Sequence, residues 1–161
     1  MTSEKDKFWD IIADVSVCMV TTKDGDVIRS RPMAPYIDKE ARTIQFMTEG
    51  DSAKIFELNV DQDIALSFAD PDKMLYASVS GTGVVSRDKR LIQSLWGAYS
   101  EVFFGGSPET ADVAIIKVKP KQAEYWDNSK GKIAIAAELT RAYFSDDGPN
   151  LGDNEKLSDV V

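Results

Sequence analysis

The segment Thr48-Glu49-Gly50-Asp51-Ser52-Ala53-Lys54 combines hydroxyl side chains, a glycine and a lysine where a helix is expected to begin. A helix start offers unpaired backbone N–H groups and the positive end of the helix dipole, and both attract a phosphate. Thr48 and Ser52 can donate hydroxyl hydrogen bonds, and Lys54 can supply a positive charge. The segment therefore predicts a phosphate-binding site, although a capped surface helix with an exposed lysine has the same pattern.

A second polar group, Arg29-Ser30-Arg31-Pro32-Met33-Ala34-Pro35, places two arginines on one face of a predicted strand, beside a proline. An arginine there can fork onto a phosphate, and backbone groups that the proline leaves unpaired can reach the edge of a heterocycle. The alternative is an edge strand that charge and proline protect from pairing with other chains.

Aromatic residues late in the chain could contact a flat ring. Tyr125 and Trp126 lie in Ala123–Asp127, and Trp96 and Tyr99 lie earlier. Such side chains can stack on a ring or line a subunit interface, but ordinary core packing is the alternative. Cys18 lies within an apolar run and is interpreted as a buried apolar residue rather than a nucleophile.

The composition excludes several kinds of chemistry. The sequence has no histidine and one cysteine, so imidazole acid–base catalysis and His- or Cys-based metal sites are not expected. Redox chemistry would have to come from a bound organic cofactor, and no catalytic residue can be assigned. The formal net charge of −8 argues against nucleic-acid binding. No apolar run is long enough to span a membrane, and the charged Met1–Lys7 segment predicts a cytoplasmic protein.

The elements that must position these residues are mostly β-strands. Helical spacing predicts helices over 5–13, 52–58 and 87–96. The β-prone runs are 15–21, 27–31, 33–37, 43–48, 63–69, 75–85, 113–118 and 123–126. The first four are expected to form a meander, with a hairpin turn at Asp24-Gly25, and Gly81 and Gly83 indicate a bulge or bend. This pattern favours an antiparallel barrel over a doubly wound sheet.

A single domain over 1–145 is expected, followed by an acidic, flexible C-terminal tail over 146–161.

The order of several short motifs resembles general stress proteins of the pyridoxamine 5'-phosphate oxidase-like superfamily. The resemblance runs from about Phe8 to Asp127. The matching motifs are Ser30-Arg31-Pro32-Met33, the stretch Phe46 to Leu58, Leu66-Ser67-Phe68-Ala69-Asp70-Pro71, Ser78-Val79-Ser80-Gly81-Thr82-Gly83, Leu95-Trp96 and Ala123-Glu124-Tyr125-Trp126-Asp127. Each motif alone is weak, and their common order is what makes the resemblance specific.

The resemblance implies a mainly β (α+β) fold: a six-stranded antiparallel split β-barrel with short flanking helices. It also implies a homodimer with FMN, or FAD, at the subunit interface. Arg31, Pro32 and Met33 would lie along the flavin, and Met47, Thr48, Ser52 and Lys54 would hold its ribityl and phosphate groups. Tyr76 would lie near the flavin, and Trp126 or Trp96 would reach the ring from the partner subunit.

The sequence departs from the true pyridoxamine-phosphate oxidases of this superfamily. Those enzymes carry an arginine beside the phosphate-binding lysine, where this chain has Ala53, and C-terminal arginine and histidine residues that grip the vitamin phosphate. Oxidation of vitamin B6 is therefore not expected. The resemblance instead implies a flavin-binding stress-response protein, either a flavin-dependent oxidoreductase of unknown substrate or a flavin-storage or sensing protein. A cofactor-free interaction module is the remaining alternative.

Overall fold

The computed structural model describes residues 3–129, 131–145 and 147–161. Within these ranges the helices are α1 Glu4–Ala13, α2 Ala53–Val60, α3 Lys89–Leu95, α4 Ala98–Phe104 and α5 Gly131–Tyr143. The strands are β1 Cys18–Asp24, β2 Val27–Met33, β3 Tyr36–Asp38, β4 Thr43–Glu49, β5 Asp63–Asp70, β6 Leu75–Ser86, β7 Val113–Asp127 and β8 Asp153–Leu157. The predicted mainly β, antiparallel class is confirmed, with eight described strands rather than six.

The sheet is a curled path whose two end strands are adjacent in the chain. Its order is β2-β1-β5-β6-β7-β4-β3, and β8 pairs with β7. Only Ala34 and Pro35 separate β2 from β3, so the path must curl until its two ends meet. Among the described residues no ladder joins β2 to β3, and neither Pro32 nor Pro35 has an N–H to donate. The result is a barrel that is split between β2 and β3.

The predicted meander of the first four strands was wrong in its central pairing. β1 pairs with β2 and β3 with β4, but β1 is flanked on its other side by β5, and β4 by β7. The predicted hairpin at Asp24-Gly25 is confirmed, since Asp24 lies opposite Val27 and Gly25 has φ +60°. A glycine adopts this left-handed conformation without a steric penalty.

The two late strands that the sequence predicts form one continuous strand, β7. Its pairing with β6 shifts register between Ser80 and Gly81, and Gly81 then lies opposite Pro120. A Cβ on Gly81 would lie 2.2 Å from the carbonyl oxygen of Lys119, so only glycine fits this approach of the two backbones. The predicted bulge at Gly81 is confirmed. The bulge lets β7 continue through Pro120, which lies between the two predicted runs 113–118 and 123–126.

Two apolar clusters lie on opposite faces of β4, because successive side chains of a strand point to opposite sides. Phe46 enters the main core inside the barrel, together with α1 residues such as Phe8 and Trp9. Met47 joins a smaller cluster with Ile92 of α3 and Ile115 of β7.

Cys18 lies in the main core, as the sequence indicates. Burial raises the pKa of its thiol to about 12, so the nucleophilic thiolate is scarce near neutral pH.

Part of the C-terminal segment expected to be a flexible tail is packed against the sheet. β8 pairs with β7, and Val160 is only 2% exposed. The indole Nε1 of Trp9 donates a hydrogen bond of 3.1 Å to the carbonyl oxygen of Val160. The acidic composition concealed this, because only Leu157 and Val160, together with backbone pairing, hold the segment against the core and the sheet. The domain limits 1–145 and 146–161 themselves remain a prediction.

The predicted N-terminal helix is confirmed as α1, where Ser3 and Asp6 form a reciprocal capping box. The sequence did not predict α4, α5 or β8. Within the described residues, no helix is both long and apolar enough to cross a membrane.

Candidate functional site

A cavity of about 470 Å3 opens at the split of the barrel, next to the first turn of α2. Its volume lies in the range of about 300–1,000 Å3 typical of small-molecule sites. The lining residues are Val17, Arg31, Pro32, Met33, Ala34, Tyr36, Met47, Thr48, Glu49, Lys54, Tyr99, Phe103 and Phe104. The structure therefore brings most of the predicted site residues to one cavity, from strands that lie far apart in the sheet order.

The start of α2 presents free donors at one end of this cavity. Ser52 occupies the N-cap position but makes no side-chain capping bond within the described chain, and the first turn carries no acidic residue. Its Oγ instead accepts a hydrogen bond of 3.2 Å from the buried hydroxyl of Thr48. Ser52 thus adjoins the cavity through Thr48. The backbone N–H groups of Ser52 and Ile55 already donate to carbonyl oxygens, and those of Ala53 and Lys54, which have no partner among the described residues, are left for an anion.

Two residues from a distant part of the chain fix the turn that leads into α2. The backbone N–H of Gly50 donates to the carbonyl of Asp112 at 2.9 Å, and Arg87 Nη2 donates to the carbonyl of Gly50 at 2.7 Å. Arg87 also pairs with Asp112 at 3.3 Å. The sequence did not indicate these supports, because nothing local relates Arg87 to a turn before α2.

Lys54 is the cation that the helix start holds toward the cavity. Its side chain is half-buried and makes no hydrogen bond or ion pair with any described residue. Burial, followed by the positive charge of Arg31, lowers the pKa of its ammonium group, and Glu49 and Glu57 oppose this only in part. A bound anion would relieve both unfavourable effects. The half-buried Lys54 is therefore the strongest indication of an anion-binding site.

Arg31 lines the cavity, but its charge is already engaged. Its Nη2 lies 2.8 Å from Oε2 of Glu57, and its Nη1 donates to the hydroxyl of Thr22, which in turn donates to Glu57. Arg29, outside the cavity, adds a second ion pair to Glu57 at 2.9 Å. Sequence reasoning missed Glu57. A carboxylate beside Ile55 and Leu58 on the buried face of a helix was the available signal.

Tyr76 and Trp126 are not among the described residues that line the cavity of their own subunit. They lie directly opposite each other on β6 and β7 and are half-buried. Trp96 packs on Phe104 at 6.3 Å between ring centroids, and Tyr125 is buried in the core. Contact of Tyr76, Trp96 or Trp126 with a flat ring therefore remains a prediction, and for the two tryptophans it requires a second subunit.

The open side of the cavity is apolar. Val17, Tyr99 and Phe103, which we call the apolar rim, are 50%, 61% and 61% exposed. The rings of Tyr99 and Phe103 are stacked, with centroids 5.7 Å apart and planes at 15°. The cavity thus combines a cationic end at α2 with apolar walls and rim. This arrangement suits an elongated ligand that has a phosphate at one end and a flat ring at the other.

Comparison with protein families gives one match over most of the chain. Residues 3–150 match the family described as "Pyridoxamine 5'-phosphate oxidase like". Protein bli-3 of Neurospora crassa is 31% identical over 134 residues, which cover 74% of this chain. The match covers 64% of the length of that curated relative.

Solved structures share the fold at low sequence identity. A putative general stress protein 26 from Jannaschia sp. CCS1 is 24% identical with a TM-score of 0.79, over 98% of this chain and 99% of that one. A general stress FMN/FAD binding protein from Xanthomonas citri is 23% identical with a TM-score of 0.70, over 79% and 90% of the two chains. The general stress protein 26 of Bacillus anthracis is 20% identical with a TM-score of 0.67, over 75% and 92%. These likenesses confirm the split-barrel fold.

Proposed function

Since the chain belongs to the pyridoxamine 5'-phosphate oxidase-like family, we propose that it is a flavin-binding protein of the stress response that binds FMN or FAD. It would act as a flavin-dependent oxidoreductase, in the cytoplasm and as a homodimer. The observation that carries the proposal is the half-buried Lys54, which pairs with none of the described residues and lies beside a start of α2 that no described side chain caps. A structural relative that is named an FMN/FAD binding protein supports the choice of ligand. The one cysteine is buried and unpaired, which suits a reducing compartment.

The described residues fit a flavin in charge, shape and polarity. Lys54, Thr48, Ser52 and the backbone N–H groups of α2 would hold the phosphate. Arg31, Pro32 and Met33 would lie along the ring and ribityl chain, with Met47 beneath them. The apolar rim would shield the ring from water on the open side.

The bound flavin would supply hydride or electron transfer, which the side chains of this protein do not supply themselves. The protein would bind and orient the ring. The hydroxyl of Tyr36, which lines the cavity, already shares a 3.1 Å hydrogen bond with Ser100. No side chain among the described residues that line the cavity is proposed as a catalytic residue.

A flavin-storage or sensing protein is the second candidate, and the same observation favours it. The charged side chains that line the cavity are suited to bind a charged ligand or already form an ion pair. They are not arranged as a general acid and a general base. Steady turnover with NADH or NADPH and an acceptor would identify an enzyme. Tight flavin binding without turnover would identify a storage or sensing protein.

The first prediction is saturable flavin binding at one flavin per subunit, because one cavity with a phosphate end lies in each chain. Titration of the purified protein into FMN, followed by fluorescence quenching with FAD and riboflavin in parallel, measures it. Binding of FMN or FAD well above riboflavin is expected. Absence of binding by all three would remove the flavin proposal and leave an interaction module with this fold.

The second prediction concerns assembly. A stable dimer is expected by sedimentation velocity, because the exposed apolar rim is best covered by a two-fold partner. In this dimer Trp126 of the partner subunit would reach the flavin ring, since Trp126 does not line its own cavity. A monomer at micromolar concentration, with full flavin affinity, would contradict this arrangement.

A subunit-mixing experiment separates a role across the interface from a role within one subunit. Lys54→Ala and Trp126→Ala proteins are each expected to bind FMN weakly. After the two are mixed and allowed to exchange subunits, each heterodimer holds one site with both Lys54 and Trp126 intact. About a quarter of all sites should then regain high affinity. No recovery, despite demonstrated exchange, would show that Trp126 does not act across the interface.

A further inference from the structure

Glu57 is a buried carboxylate in contact with two arginines, a position that the proposed function does not explain. Its side chain is 4% exposed, and it pairs with Arg31 at 2.8 Å and with Arg29 at 2.9 Å. Thr22 donates a hydrogen bond to it as well. We call these four residues the Glu57 network. Arg29 and Arg31 lie two residues apart on the same face of β2, and only Arg31 lines the cavity, so the network extends from the cavity wall along this face of the strand.

The network keeps Glu57 ionised. Burial alone would raise the pKa of Glu57, but the hydrogen bonds from Thr22 and Arg31 and the charges of both arginines outweigh it and lower the pKa. A carboxylate in this position is therefore negative at neutral pH. Its fixed negative charge would repel the phosphate of a flavin in the cavity.

Two carboxylates offset much of the positive charge at the phosphate end of the cavity. Arg31 and Lys54 line this end and are positive, whereas Glu49 lines it and is negative, and Glu57 is negative directly behind Arg31. Arg29, which lies outside the cavity, partly neutralises Glu57 through its own ion pair. A phosphate that enters this end therefore gains less than the two cationic side chains would suggest.

We infer that Glu57 is a positioning residue that holds Arg31 at the cavity wall and offsets its charge, so that the site discriminates only weakly between the doubly charged phosphate of FMN and the pyrophosphate of FAD. The inference rests on the proposed flavin site. FMN concentrates about two negative charges on one phosphate near neutral pH, because the second pKa of a phosphate monoester is about 6. FAD carries one charge on each phosphorus of its pyrophosphate, and riboflavin has no phosphate. Glu57 thereby lowers the advantage of FMN and admits FAD.

The test is the affinity of Glu57→Gln for FMN, FAD and riboflavin, compared with the unmodified protein. Glutamine retains the shape of the side chain and an oxygen that accepts from Arg31 or Thr22, but it removes the charge. FMN affinity is expected to rise about fivefold at low salt, FAD affinity less, and riboflavin affinity not at all. The gain should shrink in 0.5 M salt, because a charge effect is screened and a packing effect is not.

Arg29→Gln tests the same inference with the opposite sign. Arg29 is 47% exposed by its side chain and lies outside the cavity, so its loss is not expected to disturb the fold. It would leave the charge of Glu57 less neutralised, and FMN affinity should fall about two- to fivefold, with riboflavin unchanged. Asp61→Asn, which removes a carboxylate at the far end of α2, is the matched control and should change neither.

The outcomes separate the inference from the proposed function. If the unmodified protein binds no flavin, the proposed function fails. If it binds FMN but both variants leave the preference among the three flavins unchanged, Glu57 does not set the charge of the site. Equal loss of FMN and riboflavin affinity in Glu57→Gln would give Glu57 a merely structural role and overturn the inference. If Glu57→Gln does not fold, Arg29→Gln decides alone.

Discussion

Lys54→Ala is expected to weaken FMN binding about 10- to 100-fold, the loss typical of one charge-assisted hydrogen bond. Riboflavin binding should stay nearly the same, because riboflavin lacks the phosphate. Lys54 is half-buried at the start of α2, and no described residue neutralises it, whereas the charge of Arg31 is shared with Glu57. The dissociation constants of FMN and riboflavin, measured by fluorescence quenching, give the result directly.

Two further variants make this result specific. Lys73→Ala removes the same charge at a surface ion pair with Asp14, 3.1 Å away, and should leave FMN affinity unchanged. Lys54→Arg keeps the charge and should restore most of the affinity. If Lys54→Ala weakened riboflavin as much as FMN, Lys54 would shape the cavity rather than bind phosphate. Unchanged FMN affinity would place the phosphate elsewhere.

Gly81→Ala is expected to lower the free energy of unfolding by roughly 3 kcal/mol, the upper range for overpacking a tight site. The new methyl group would approach the carbonyl oxygen of Lys119 to 2.2 Å, and this oxygen belongs to the backbone of β7. This steric clash can therefore be relieved only if β6 and β7 separate at their bulge. Urea unfolding followed by circular dichroism measures the change.

Gly97→Ala is the matched control, because a Cβ at Gly97 meets no described atom within 4 Å and its φ is −150°. Its stability should stay within about 1 kcal/mol of the unmodified protein. Gly83→Ala should fall between the two, since the nearest atoms, 3.0 Å away, belong to the flexible side chain of Leu58. Equal stability of Gly81→Ala and Gly97→Ala would contradict the close approach of β6 and β7.

Local patterns predicted most elements of the fold. The apolar spacing of 5–13 predicted α1, Asp24-Gly25 predicted the first hairpin, and Gly81 predicted the bulge. Each depends on contacts within a few residues, where capping, turn geometry and periodicity act. The acidic composition of 146–161 did not indicate that part of this segment packs on the sheet. There, β8 is held by backbone pairing to β7 and by the burial of Val160.

The pairing of strands that are distant in the chain could not be predicted from the sequence. The adjacency of runs 27–31 and 33–37 favoured a meander. In the structure β2 and β3 lie at opposite ends of the sheet order, and no described ladder joins them. Two prolines at this junction hinted at lost backbone donors, but they did not reveal which strands β1 and β4 would choose instead. Long-range strand order depends on the burial of whole faces at once, and no local window records it.

The candidate site divides in the same way. The sequence by itself predicted the helix start that carries Thr48, Ser52 and Lys54, since these residues lie within seven positions of one another and the signal is local. Only the tertiary structure decided that Glu57 engages Arg31, that Arg87 supports the turn before α2, and that Tyr76 and Trp126 lie away from their own cavity. The physical reason is that ion pairs and cavities join side chains from distant segments, and the packing of the whole chain decides which of them meet.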